Sequence, residues 1–181
     1  MAQIMIVDDE PDIRELVKLN FEKENHEVLT AENGKDALEK LKEVSPEYPD
    51  LILLDINMPE LNGWETLDEL DKREILDEVP VVMFTVEELT FVKMLRKDVE
   101  GLVGYIEKPF EREEILKTAE NVIEKTREIN DKKNKIEKSP EGGKSLAEAY
   151  KAWSRAQMIH KRFLEKLKEM ENKMTDESKL K

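Results

Sequence analysis

One apolar segment limits what this chain can fold into more than any other. Residues 51–54 are four consecutive aliphatic residues, and Asp55 follows them directly. A short uninterrupted apolar run between turn residues is typical of a strand buried on both faces of a parallel sheet. Pro59 and Gly63 then favour a loop before the next helical pattern. The sequence therefore predicts a buried strand that ends in a carboxylate, at the edge where open α/β sheets bind ligands.

Four further apolar runs alternate with helical patterns in the same way. With residues 51–54 they make five predicted strands, the others lying at 4–7, 26–31, 80–85 and 101–108. Such alternation requires right-handed crossovers and produces a parallel sheet with helices on both faces. The predicted fold class is α/β, a doubly wound five-stranded parallel sheet. One predicted helix, the fourth, carries Leu89, Val92 and Leu95 between the last two strands.

Polar residues stand at the predicted carboxyl ends of these strands. They are Asp8, Asp9, Asp55, Thr85 and Lys108. Because parallel strands end at one edge of a sheet, these side chains are expected to share a pocket. Three carboxylates in one pocket repel each other, and a hard divalent cation such as Mg²⁺ would keep them ionised. The ammonium and the hydroxyl suit the oxygens of a transferring phosphoryl group.

The predicted nucleophile of this site is the Asp55 carboxylate, which would form an acyl phosphate. The chain contains no Cys, and its pattern places no Ser or His at this edge. Phosphatases of the haloacid dehalogenase type also use a strand-end Asp with Mg²⁺, but they need a second Asp two residues later. That position is Asn57, which cannot transfer protons. The phosphatase interpretation is therefore disfavoured.

The motifs, taken in order, resemble the receiver domain of two-component response regulators (the CheY-like, flavodoxin-like receivers). The resemblance covers residues 2–127. It rests on Val7-Asp8-Asp9-Glu10, Asp55 with Met58-Pro59 and Gly63, Thr85, and Tyr105 with Lys108-Pro109-Phe110. Each motif alone has an ordinary structural explanation, whereas their joint order at predicted strand ends is specific. The alternative within this fold is a pseudo-receiver that shares the fold without the chemistry.

The resemblance implies a role for each acidic residue. Asp55 would accept a phosphoryl group from a sensor histidine kinase or a phosphotransfer protein. Asp9, Asp55 and the backbone carbonyl of Asn57 would bind Mg²⁺ directly, and Asp8 would position metal-bound water. The protein would thus be a self-phosphorylating signalling domain of a phosphorelay, and not an enzyme with a separate substrate.

The resemblance also implies a switch. Lys108 would pair with Asp55 and then with its phosphate, and a cis peptide between Lys108 and Pro109 would aim the lysine. Thr85 would move to bond a phosphate oxygen, and Tyr105 would turn inward with it. These movements would remodel the face made by the fourth helix, the fifth strand and the fifth helix.

Three residues are expected to modulate the lifetime of the phosphoryl group. Asn57 and Glu87, two residues after Asp55 and Thr85, resemble the pair in chemotaxis-type receivers that lose phosphate quickly. Val86 departs from the family, because a small residue usually follows the threonine, and its branched side chain could narrow the approach to Asp55. The lifetime is therefore left open.

Charge divides the chain into two parts. Residues 1–127 contain 16 Lys and Arg against 33 Asp and Glu, a formal charge of −17, whereas residues 128–181 contain 14 against 10, a charge of +4. The acidity of the first part argues against nucleic-acid binding. No apolar run reaches the length of a membrane span and the N-terminus lacks a signal-peptide pattern, so a cytoplasmic protein is expected.

The predicted domain organisation has three segments. A receiver domain at 1–127 is followed by an extension of the fifth helix and a linker at 128–144, and by one amphipathic helix at 145–181. Ser145 and Glu148 would form a capping box at the start of this last helix. The tail contains no turn from there on, so no helix-turn-helix for DNA binding is predicted.

The apolar residues of the tail follow a heptad pattern, typical of a coiled coil. One seam contains Leu146, Trp153, His160, Leu167 and Met174, and the other contains Ala149, Ala156, Phe163 and Met170, widened by Tyr150 and Leu164. A stripe this wide requires a partner, which could be the extended fifth helix, a second copy of the chain or another protein. The tail is thus predicted to mediate dimerisation or partner docking, the alternative being a stand-alone chemotaxis-like or phosphorelay receiver with a merely stabilising tail.

Overall fold

A computed structural model describes residues 1–45, 47–85 and 102–158 of the chain. Its centre is one five-stranded parallel sheet, of order β2-β1-β3-β4-β5. The strands are β1 (Gln3–Val7), β2 (Glu27–Ala31), β3 (Leu51–Asp55), β4 (Val81–Thr85) and β5 (Leu102–Glu107). The predicted doubly wound parallel sheet is confirmed.

Helices cover both faces of the sheet. They are α1 (Pro11–Lys23), α2 (Gly34–Val44), α3 (Gly63–Lys72) with a 3₁₀ turn at Ile75–Asp77, and α4 (Arg112–Lys138). Residues 144–158 form a further helix, called the tail helix below. The helix predicted through Leu89, Val92 and Leu95 lies outside the described residues, so the predicted fifth helix is α4 here.

Alternation along the strands divides the core into two layers. Ile52 and Leu54 of β3 pack on one face, in a cluster with residues of α2 and α3. Leu51 and Leu53 pack on the opposite face, with residues of α1 and α4. All five residues of β3 are buried because this strand lies between β1 and β4 and is covered on both faces. The long apolar run thus places Asp55 at the centre of one sheet edge.

The chain reverses direction after α4. This helix runs well beyond the sheet and ends at Lys138, and Gly143 then adopts a left-handed φ of 131° before the tail helix begins at residue 144. The predicted capping box at Ser145 is wrong, because Ser145 already lies within the helix and the amide of Ala147 donates to the carbonyl of Gly143. The Glu148 carboxylate instead pairs with Lys133 of α4 at 2.8 Å.

The tail helix folds back onto the domain with a mostly polar face, and Met158 adds an apolar contact with one of the two core clusters. Ala147, Lys151, Ser154 and Arg155 are all buried. The Arg155 guanidinium donates to the main-chain carbonyl of Leu76, which lies in the 3₁₀ turn before β4.

None of the helices among the described residues combines the length and the apolar content that a membrane span requires.

Candidate functional site

The carboxyl edge of the sheet brings together residues that are far apart in sequence. Asp8 follows β1, Asp55 ends β3 and Lys108 follows β5. Asp8 is 0% exposed and Asp55 is 4% exposed, so both carboxylates are removed from bulk solvent. Two buried carboxylates side by side are unfavourable without a cation between them.

Lys108 supplies that cation. Its Nζ lies 2.7 Å from Asp8 Oδ2 and 2.7 Å from Asp55 Oδ1, and the Glu10 carboxylate is 3.7 Å away. The ammonium also lies 5.9 Å from the centre of the Phe84 ring, a distance at which a ring face attracts a cation. The Lys108–Pro109 peptide bond is cis. Lys108 therefore bridges the two buried carboxylates.

Asp55 is held by its backbone surroundings as well. Its Oδ2 accepts a hydrogen bond from the amide of Asn57 at 2.7 Å. Gly63 begins α3 directly beside it, and a Cβ added at Gly63 would lie 2.3 Å from the carbonyl oxygen of Asp55. The glycine of the predicted motif is thus required by a close backbone approach, which fixes the loop that follows β3.

The loop between β1 and α1 holds Asp8 and presents Asp9. Asp8 Oδ1 accepts from the Glu10 amide at 3.0 Å, and the Asp8 carbonyl accepts from the Arg14 guanidinium at 2.6 Å. Asp9 is exposed beside them. The sequence reasoning missed Arg14. The available signal was that it is the one basic residue in the acidic segment 8–15, one helical turn after Glu10.

The charges of the cluster depend on each other. Burial raises the pKa of Asp8, and its bonds to Lys108 and to the Glu10 amide only partly offset this effect. Burial alone would lower the pKa of Lys108, but its bonds to Asp55 and Asp8 outweigh burial and raise it. Lys108 therefore remains protonated at neutral pH. Burial also raises the pKa of Tyr105 in β5 to about 12, so this phenol stays neutral.

The oxygen donors of this edge suit Mg²⁺. Asp8, Asp9 and Asp55 offer carboxylates, and Asn57 offers a backbone carbonyl, all hard ligands. Within the described part of the chain, no three acidic or histidine side chains are grouped as a metal site. The positive charge between Asp8 and Asp55 is instead the Lys108 ammonium. The chemistry of these donors therefore fits the metal.

The remaining predicted site residues are only partly placed. Thr85 is the last residue of β4, next to β3, and its backbone pairs with Glu107. Tyr105 is half-buried against the core cluster that includes Met83. Val86 and Glu87 lie outside the described residues.

Comparison with known proteins agrees with this geometry. The response regulator receiver domain family matches residues 4–120. The protein PilH of Pseudomonas aeruginosa is 38% identical over 125 residues, which are 68% of this chain and 98% of PilH.

Two solved structures are similar in fold and sequence. The chemotaxis protein CheY4 of Vibrio cholerae is 34% identical with a TM-score of 0.60, covering 67% of this chain and 98% of CheY4. The response regulator TrrA of Thermotoga maritima, solved in complex with Mg²⁺-BeF, is 31% identical with a TM-score of 0.55, covering 67% of this chain and 99% of TrrA. With the buried Asp8, Asp55 and Lys108 at the sheet edge, these matches show that the chain belongs to the response regulator receiver family.

Proposed function

We propose that this protein accepts a phosphoryl group on Asp55 from a histidine kinase or a phosphotransfer protein. The observation that carries the proposal is the bridge formed by Lys108, which lies 2.7 Å from both Asp8 and Asp55. A buried carboxylate that a cation and a backbone amide hold in place is a positioned nucleophile. PilH and CheY4, to which the chain is similar over nearly their whole length, support the same assignment.

In the proposed reaction, a carboxylate oxygen of Asp55 forms a bond to phosphorus while the P–N bond of the phosphohistidine breaks. The donor imidazole leaves as the neutral ring after taking up a proton. Lys108 contacts Asp55 Oδ1 before transfer and would pair with a phosphoryl oxygen afterwards. Asp9, Asp55 and the Asn57 carbonyl would hold Mg²⁺ directly and Asp8 would position metal-bound water. The ion, when bound, would supply charge neutralisation at the phosphoryl oxygens.

The proposed consequence of phosphorylation is a population shift of the switching face. Thr85 at the end of β4 and Tyr105 of β5 would change together, and the effect would pass to α4 and the tail helix. The tail would then act in dimerisation or partner docking, in keeping with the proposed division into a receiver at 1–127, a linker at 128–144 and a tail at 145–181.

The phosphoryl transfer is tested with acetyl phosphate and Mg²⁺ as the donor system. We expect incorporation of one phosphoryl group per chain by intact mass, and loss of incorporation in Asp55→Asn. Glu10→Gln is the matched control, because Glu10 is an exposed acid 3.7 Å from Lys108. Incorporation in Asp55→Asn equal to that of the unaltered chain would overturn the assignment of the acceptor.

The alternative output is a stand-alone chemotaxis-like or phosphorelay receiver with a stabilising tail. The docking of Arg155 on the Leu76 carbonyl favours it, because this contact ties the tail to the domain. Amide hydrogen exchange of residues 144–158, with and without beryllofluoride, separates the two outputs. A change in protection supports a responsive tail, whereas equal protection supports the stabilising one.

A further inference from the structure

The tail helix has two faces of opposite character, and in the described part of the chain only one of them is covered. Ala147, Lys151 and Arg155 lie at spacings of four residues and are buried against the domain. Leu146 is 56% exposed and Trp153, seven residues later, is 61% exposed. The face that docks is therefore rich in polar and charged groups, and the apolar face points to solvent.

The exposed apolar face, called the outer stripe, contains Leu146, Ala149, Tyr150, Trp153 and Ala156. The rings of Tyr150 and Trp153 lie 6.4 Å apart, so they form one continuous aromatic surface. Exposed aromatic and aliphatic side chains on one helical stripe are typical of a surface that binds another protein. The contacts of Arg155 with Leu76 and of Glu148 with Lys133 hold the helix in this orientation.

We infer that the outer stripe pairs with the outer stripe of a second copy of this chain, as a parallel coiled coil. The first reason is the heptad spacing, which continues in the sequence beyond the described residues through Phe163, Leu167 and Met174. A seam that repeats every seven residues fits best against a helix with the same repeat, and a second copy supplies one.

The second reason is the charge pattern beside the seam. Lys166 and Glu171 occupy the two flanking positions and are five residues apart in sequence. Opposite charges at flanking positions with this separation in the sequence are typical of parallel coiled coils. The tail carries a formal charge of only +4 over residues 128–181, so repulsion between two tails is weak.

This inference concerns the tail in the proposed function and requires no phosphoryl group. The pairing is expected already without Mg²⁺ and a phosphoryl donor, and phosphorylation would change its strength through α4 and not create it. A failure of phosphoryl uptake and a failure of dimerisation can therefore be told apart.

The test is light scattering after size exclusion on the full chain at micromolar concentrations. We expect twice the chain mass of 21.2 kDa, and half that value in the double variant Leu146→Glu/Trp153→Glu. Lys144→Glu is the control, because Lys144 is exposed on the same helix but lies off the outer stripe. Circular dichroism and phosphoryl uptake on Asp55 should be unchanged in both variants, since the replaced side chains are exposed.

Orientation is tested by single cysteine variants, because the chain contains no Cys. In a parallel pair, Leu146→Cys places two thiols opposite each other, and mild oxidation should link the dimer, whereas Lys144→Cys should remain unlinked. A monomer for the full chain, or a dimer that persists in Leu146→Glu/Trp153→Glu, would overturn the inference. A dimer in which Leu146→Cys does not cross-link would overturn the parallel arrangement.

Discussion

Two lysines whose side chains are largely removed from solvent, Lys108 and Lys151, differ in how their charge is balanced. Lys108 lies between Asp8 and Asp55, and its pKa is raised although burial opposes this. Lys151 is 6% exposed, and among the described residues no carboxylate lies within ion-pair distance of it. Burial and the neighbouring Arg155 lower the pKa of Lys151, and Glu78 only partly offsets them.

The difference shows that burial alone does not reveal a functional lysine. At the carboxyl edge, the fold provides two carboxylates for one ammonium, so the cation is retained and positioned. At the tail, Lys151 is buried beside Arg155, and the repulsion between these two cations opposes docking. The first arrangement suits the proposed phosphoryl transfer, whereas the second leaves the docked tail helix with an unfavourable charge contact.

The largest effect is expected for Lys108→Met. Removing the ammonium leaves Asp8 and Asp55 as uncompensated buried charges, which should cost about 3–5 kcal/mol in the free energy of unfolding. The loss of stability should shrink as pH falls toward the usual pKa range of carboxyl groups. The raised pKa of Asp8 lets the folded state bind a proton at a higher pH than the unfolded state does. Urea unfolding at several pH values measures both effects.

The matched control for Lys108→Met is Lys40→Met. Lys40 also pairs with a carboxylate at 2.7 Å, that of Asp36, but its side chain is 40% exposed. Lys40→Met should therefore lower the free energy of unfolding by less than about 1 kcal/mol. Equal losses of unfolding free energy in the two variants would show that the burial of Asp8 and Asp55 does not increase the cost of removing Lys108.

A smaller effect is expected for Arg155→Ala. Arg155 is 2% exposed and donates to the carbonyl of Leu76. Deleting a buried charged donor should weaken tail docking by about 1.5–3 kcal/mol, seen as faster hydrogen exchange at residues 144–158. Arg127→Ala, which removes an exposed pair with Asp50, is the control and should leave tail exchange unchanged. Unaltered exchange in Arg155→Ala would contradict the docking.

Lys151→Met is expected to act in the opposite direction to Lys108→Met. Replacing a poorly balanced buried cation by an apolar chain should stabilise tail docking by about 1 kcal/mol at neutral pH. The docked lysine has a lowered pKa, so the unaltered tail should gain stability as pH rises toward 10.5, and the difference between the two proteins should vanish there. Hydrogen exchange of the tail helix across this pH range measures both effects. Weaker protection of the tail helix in Lys151→Met than in the unaltered chain at neutral pH would contradict the expected stabilisation.

The smallest effect is expected for Glu78→Gln. Glu78 is one of two carboxylates, with Glu148, whose attraction raises the pKa of Lys151 against burial, and it is exposed. Its loss should weaken docking by about 0.5 kcal/mol in low salt and by less in high salt, because exposed charges are screened. A loss that does not depend on salt would show that Glu78 acts through packing.

Much of the domain was predictable from the sequence. The five strands follow from short apolar runs, and the position of Asp55 follows from a run that ends in a carboxylate. The meeting of Asp8, Asp55 and Lys108 is a consequence of parallel strands ending at one edge. These features depend on local pattern and topology, both of which are written along the chain.

The described part of the tail, residues 144–158, was predictable as a helix but not in its orientation. Its heptad pattern identified the apolar stripe of Leu146 and Trp153, yet the structure buries the opposite face with Lys151 and Arg155. A helix can dock through either face, and the choice here depends on the Leu76 carbonyl and on Lys133, which are distant in sequence. Such contacts leave no periodic signal in the tail itself.

The sequence by itself determined the sheet, its edge and the residue types of the candidate site, because apolar period and strand ends are local properties. Only the tertiary structure decided that Lys108 bridges both carboxylates, that Arg14 holds the Asp8 carbonyl and that the tail docks by its polar face. Each of these depends on distances between segments remote in the chain, and those distances exist only after the layers have packed.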